Sequence, residues 1–92
     1  MAQRTVVVAS GVGLHARPAK LFTQAAAGTG LGVTIAKGDG PAVDATSILR
    51  VMALGVKHGE EVTISAEGDG ADEALDGLVE LLATDLDAVK PA

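Results

Sequence analysis

"EEVTISAEGDGADEALDGLVELL", residues Glu60 to Leu82, changes its hydrophobic period halfway along. Val62, Ile64 and Ala66 alternate with Thr63, Ser65 and Glu67, the period of a strand with one face inward and one face outward. Beyond the glycines of "EGDGAD" the spacing becomes helical. Leu75, Leu78 and Leu82, with Ala74 and Val79, form a broad apolar stripe that continues to Leu86 before Pro91. Asp69 or Gly70 is placed to cap this helix, and Asp72 and Glu73 suit its positive N-terminal end. A strand with one apolar face, followed by a helix with one apolar stripe, predicts helices laid on one side of a sheet.

The upstream sequence repeats this arrangement. Arg4 to Ala9 is a β-branched run ended by "SGVG", which reads as a strand followed by a loop. From Ala16 to Ala27, Leu21, Phe22, Ala25 and Ala26 recur at helical spacing, and "GTGLG" stops the helix. "VTIAK" alternates again, and "KGDGPAV" turns the chain into a short strand around Ala42 to Asp44, which predicts a hairpin. In "TSILRVMALGV", Ser47 reads as the N-cap of a short helix that closes near Gly55. The order is β-α-β-β-α-β-α. The expected fold is α+β, a two-layer open-faced sandwich with three helices on one face of a four-stranded antiparallel sheet.

At 92 residues the chain is read as a single domain spanning 1–92. Its core must be almost entirely aliphatic, because Phe22 is the only aromatic residue. The absence of cysteine excludes disulfides and thiolate zinc sites, and two histidines among scattered carboxylates show no metal-ligand spacing, so neither a metal nor a cofactor is expected. A net charge of −5 and the lack of Trp and Tyr argue against direct nucleic-acid binding. The apolar run Val6 to Ala9 is too short for a signal peptide or a membrane span, so the expectation is a cytoplasmic protein without membrane insertion.

Within this acidic chain, "SGVGLHARPAKLF" gathers His15, Arg17 and Lys20 around a helix start. Pro18 fits the first helical turn, where its missing N–H costs nothing. The unpaired amides at Ala16 and Arg17 carry the partial positive charge of the helix end, a natural seat for phosphate beside His15. Gly11 and Gly13 are read as keeping the approach open. A neutral imidazole keeps one ring nitrogen with a free lone pair. Such a nitrogen can attack an activated phosphoryl group while Arg17 and the amides stabilise the transferring oxygens. The product would be a phosphohistidine, suited to a relay. The motif holds no carboxylate to serve as a general base, which argues against hydrolysis. The competing reading is a plain capping or surface histidine.

"GLHARPA", "SILRVMALGV" and "GEEVTISAEG" together resemble HPr, the histidine-containing phosphocarrier family of the phosphoenolpyruvate:sugar phosphotransferase system, over nearly the whole chain. The resemblance implies a sheet of strand order 1-4-2-3. It also implies phosphorylation of His15 at Nδ1 (pros-phosphohistidine), phosphate stabilisation by Arg17, and a monomer that is a covalently modified substrate of partner enzymes rather than a self-contained enzyme. The implied partners are phosphorylated enzyme I as donor and enzyme IIA domains of sugar transporters as acceptors. Val12 departs from the pattern, since many members carry a small polar residue there that helps to order the loop.

Ser47 matches the family's regulatory serine, the target of an HPr kinase in many relatives, although a capping role explains it equally well. Regulation through a phosphorylated Ser47 and a transcriptional regulator is the alternative function, and a nitrogen-related or dihydroxyacetone-kinase relay would keep the chemistry and change the partners. Ile48, Leu49 and Met52 are expected to divide between core and a docking patch beside the histidine, joined there by Lys20. Arg50 either steers acidic partners or is a solvated charge. His58 is expected to be exposed and inert in a turn. Asp72, Glu73, Asp76, Glu80, Asp85 and Asp87 read as a solvated helix face.

Overall fold

The computed structural model describes residues 2–84 without Ser10 and Val12. Val12, Asp85, Leu86, Asp87 and Pro91, on which some of these expectations rest, lie outside the described residues. The elements are β1 (Ala2–Val7), α1 (Ala16–Gly28), β2 (Thr34–Lys37), β3 (Val43–Asp44), α2 (Ile48–Ala53), β4 (Glu61–Ala66) and α3 (Ala71–Leu82). The four strands form one antiparallel sheet in the order β1-β4-β2-β3.

The alternating strand is β4, and it is interior. Val6 of β1 lies opposite its Val62, and Ile35 of β2 lies opposite its Ile64. Val62, Ile64 and Ala66 are all buried, as their period requires. α3 covers β1 and β4 and touches α1, and α1 packs against α2. Phe22 is fully buried in this aliphatic core, beside Ala19 and Ala26 of the same helix face.

Two details differ from the sequence reading, and a third settles between its alternatives. β1 begins two residues before Arg4 and ends at Val7; its ladder partners are set by β4, and Val8 still donates to the Glu60 carbonyl at 3.0 Å. Gly70, not Asp69, is the N-cap of α3, in the left-handed conformation with φ 80°. Two of the carboxylates read as merely solvated are engaged. Arg4 donates from Nη2 to Asp72 at 3.0 Å and from Nε to Asp76 at 3.1 Å, linking β1 to α3. These carboxylates hold the Arg4 guanidinium above its ordinary value.

Candidate functional site

His15 is the N-cap of α1, in extended backbone geometry, and its exposed side chain makes no capping hydrogen bond. A histidine there caps poorly compared with Ser or Asp, so the helix end keeps its unpaired amides and partial positive charge. Pro18 is buried in the first turn and fixes the helix on the core beside the site. Arg17 and Lys20 are exposed on the following residues of α1.

The loop before His15 is pinned from below. The Leu14 amide donates to the Val56 carbonyl at 3.0 Å, and the Leu14 side chain is buried. Gly13 has φ 71°, and a Cβ there would collide with the Val56 carbonyl oxygen and stand 2.7 Å from the Lys57 Cα. The reading of Gly13 as a residue that opens the approach is therefore corrected: it is buried, and it is glycine because backbone meets backbone. Gly11 differs, since a Cβ added there would meet nothing within 4 Å.

α2 packs against α1, the helix that His15 caps. Arg17, Lys20, Leu21 and Gln24 of α1 and Ile48 and Met52 of α2 line one shallow groove. Leu21 and Gln24 stand four and seven residues after Arg17, so helical spacing alone would have found them. Leu49 is 78% exposed and Ile48 37%, whereas Val51, not singled out in the sequence, is the residue that buries. Arg50 is exposed on the same short helix. Ser47 caps α2, accepting from the Arg50 amide at a long 3.4 Å. Just before it, the Asp44 carboxylate accepts from the Thr46 hydroxyl at 2.7 Å and from the Thr46 amide at 2.9 Å, and these bonds hold it below the usual carboxylate range. His58 lies exposed in the 55–60 turn, on a different segment from the Arg17 groove.

This geometry, an exposed imidazole at a helix start with cations and an apolar groove alongside, stands on a fold shared with known phosphocarriers. The chain matches the PTS-HPr family, described as the PTS HPr component phosphorylation site, over residues 2–84. It is 48% identical to the phosphocarrier protein HPr of Streptomyces coelicolor over 95% of this chain and 94% of that protein. The crystal structure of HPr-C-His from Thermoanaerobacter tengcongensis superposes with a TM-score of 0.88 at 38% identity, covering 98% of this chain and 100% of that one. Crh, the catabolite-repression protein of Bacillus subtilis, superposes with a TM-score of 0.70 at 40% identity over 94% and 98% of the two chains, as a swapped dimer. The chain belongs to the HPr family of phosphocarriers of the phosphotransferase system.

Proposed function

We propose that this chain carries a phosphoryl group on Nδ1 of His15, from phosphorylated enzyme I to enzyme IIA domains of sugar transporters. The observation that carries the reading is the exposed His15 imidazole at the N-cap of α1, uncommitted to capping and followed by Arg17. The Nδ1 lone pair attacks phosphorus in line, and the bond between phosphorus and the donor atom of enzyme I breaks with its electron pair returning to enzyme I. The helix amides, Ala16 and Arg17 among them, and the Arg17 guanidinium bear the charge on the equatorial oxygens. The second transfer reverses these roles. His15 is then the leaving group and the enzyme IIA nucleophile the attacker, so the phosphoryl group moves on with no net hydrolysis.

The groove between α1 and α2 gives acidic partners a place to dock: Lys20 supplies charge there and Ile48 and Met52 supply apolar surface, while Leu49 and Arg50 stand exposed on α2 outside the residues that line it. Ser47 offers a control on this face. It is half-buried at the start of α2, next to exposed Ile48 and Leu49, and a phosphate placed there by an HPr kinase would set negative charge against an acidic partner or create a patch for a transcriptional regulator. No helix among the described residues is long and apolar enough to cross a membrane, in keeping with work beside membrane transporters rather than within them.

Incubation with phosphoenolpyruvate and enzyme I tests the reading. His15 becomes labelled with acid-labile phosphate, His15→Ala abolishes the label and His58→Ala leaves it. A label that survives His15→Ala, or a wild-type chain that enzyme I does not label, overturns the assignment.

A further inference from the structure

The turn that holds the His15 loop is itself held by an ion pair that the phosphocarrier reading does not use. Residues 55–60 run between α2 and β4, and this segment supplies the Val56 carbonyl that receives the Leu14 amide. Across its mouth lies Lys37, the last residue of β2. Its Nζ donates to the Gly55 carbonyl at 3.1 Å and stands 3.3 Å from Oε1 of Glu60. The same Glu60 oxygen accepts from the Lys57 amide at 2.8 Å. One cation and one carboxylate thus tie the first and last residues of the turn and hold an amide inside it, and the Glu60 amide closes it by donating to the Lys57 carbonyl at 3.1 Å.

The turn reaches the site on both sides. Val8 donates to the Glu60 carbonyl and accepts from the Gly59 amide, at 3.0 and 2.9 Å, where β1 leads into the His15 loop. At the other end, Gly13 fits against Val56 and Lys57 with no room for a methyl group, and Leu14 is locked by its amide and by burial. His15 follows directly, so the position of the 55–60 turn sets where the backbone of the phosphate acceptor begins. In-line transfer is sensitive to small displacements of the nucleophile, and a turn free to shift would spread the imidazole over unproductive orientations.

We infer that Lys37 and Glu60 are positioning residues for His15, acting through the Val56 carbonyl and the Leu14 amide. The inference rests on the phosphocarrier reading for its kinetic consequence and on backbone geometry alone for its structural one. Both side chains are partly solvated, at 36% exposure each, so removing them leaves the core of the fold intact. The carboxylate is held below its ordinary value chiefly by the Lys57 amide and secondarily by Lys37, which is the order of the contacts.

The test compares Lys37→Met, Glu60→Gln and Lys37→Arg with wild type in two measurements. In phosphorylation by phosphoenolpyruvate and enzyme I, Lys37→Met lowers kcat by about tenfold while KM for the carrier stays within about twofold, because the turn orients the nucleophile and does not line the docking groove. Glu60→Gln shows the same split to a smaller degree, since the amide oxygen can still accept from Lys57, and Lys37→Arg restores most of the rate. In amide hydrogen exchange, Leu14 exchanges faster in Lys37→Met while the amides of Phe22 and Ile64 keep wild-type protection, which separates a moved turn from a weakened fold. Wild-type kcat in Lys37→Met, or unchanged Leu14 exchange, overturns the inference. If enzyme I fails to label even the wild-type chain, the phosphocarrier reading falls, and Leu14 exchange in the variants alone decides the positioning.

Discussion

At the scale of single residues, the site combines one side chain left exposed with one side chain that cannot exist. Gly13 must be glycine both for its positive φ and for its contact with Val56, so Gly13→Ala destabilises the fold by at least about 2 kcal/mol. Gly11→Ala, where an added methyl group meets nothing, stays within about 0.5 kcal/mol. Urea titration of the two variants measures the contrast, and equal midpoints would contradict it. Arg17 should behave in the opposite way to Gly13. It is exposed on the first turn of α1, so Arg17→Ala changes stability by no more than about 1 kcal/mol. Under the proposed function it also removes a charge-assisted partner of the transferring oxygens, so phosphoryl transfer is expected to slow by about tenfold or more. A steady-state transfer assay alongside a melt checks both halves; an unimpaired rate would remove Arg17 from the site. The placement of His15 and Arg17 at the start of α1 was legible in the sequence because local spacing sets it. The role of Gly13 was not, because the backbone that forbids its methyl group lies more than forty residues further along the chain.

At the scale of elements, α2 is the least secure helix. It has six residues, one buried side chain and a capping hydrogen bond at 3.4 Å, beyond the usual range for an amide donor. Ser47→Ala therefore costs about 0.5 kcal/mol, at the low end of N-cap losses, and thermal unfolding measures it; a loss above about 2 kcal/mol would mean that the cap is stronger than its geometry. The docking surface follows from the same shortness. With Val51 alone committed to the core, Ile48 and Leu49 are left outside, next to α1. Helical spacing could divide this segment into faces, but which face meets the core depends on α1, against which α2 packs.

Across the whole molecule, acid should loosen the connections between elements before it reaches the core. Asp44, ahead of α2, and Glu60, at the 55–60 turn, are both held below the usual carboxylate range in the folded chain. A carboxyl group whose folded value lies below its unfolded one adds stability above the unfolded value and loses it as pH falls through the folded one. The contribution is complete at neutral pH, begins to fade near the ordinary carboxylate values of about 4, and is gone at lower pH. Urea titrations of wild type and Glu60→Gln at pH 7 and at strongly acidic pH test the sign. The wild-type advantage at pH 7 shrinks on acidification, because a protonated Glu60 and the glutamine of the variant both present a neutral carbonyl acceptor; an advantage that grew in acid would reverse the assignment.

Periodicity and composition by themselves determined the layers of this protein. Val62, Ile64 and Ala66 against Leu75, Leu78 and Leu82 state which faces must be buried, and a strand face and a helix stripe can satisfy each other in few ways. The glycines and Pro18 marked the ends of elements, and sequence neighbours placed His15 at a helix start while leaving a capping role and a phosphate-accepting role side by side. The neighbours of each strand are another matter. β4 lies between β1 and β2, and β2 lies between β3 and β4, so the units β1-α1-β2 and β3-α2-β4 interlock. An alternating pattern records only which side is apolar and is silent about which edge pairs with which, so the residues alone lead to the layers, and the strand order was implied only by family resemblance. The groove shared by α1 and α2, the tie from Arg4 to Asp72 and Asp76, and the span from Lys37 across the turn to Glu60 arise only once that order is set. Each joins side chains far apart in sequence, and contacts of that kind are fixed by packing rather than by spacing.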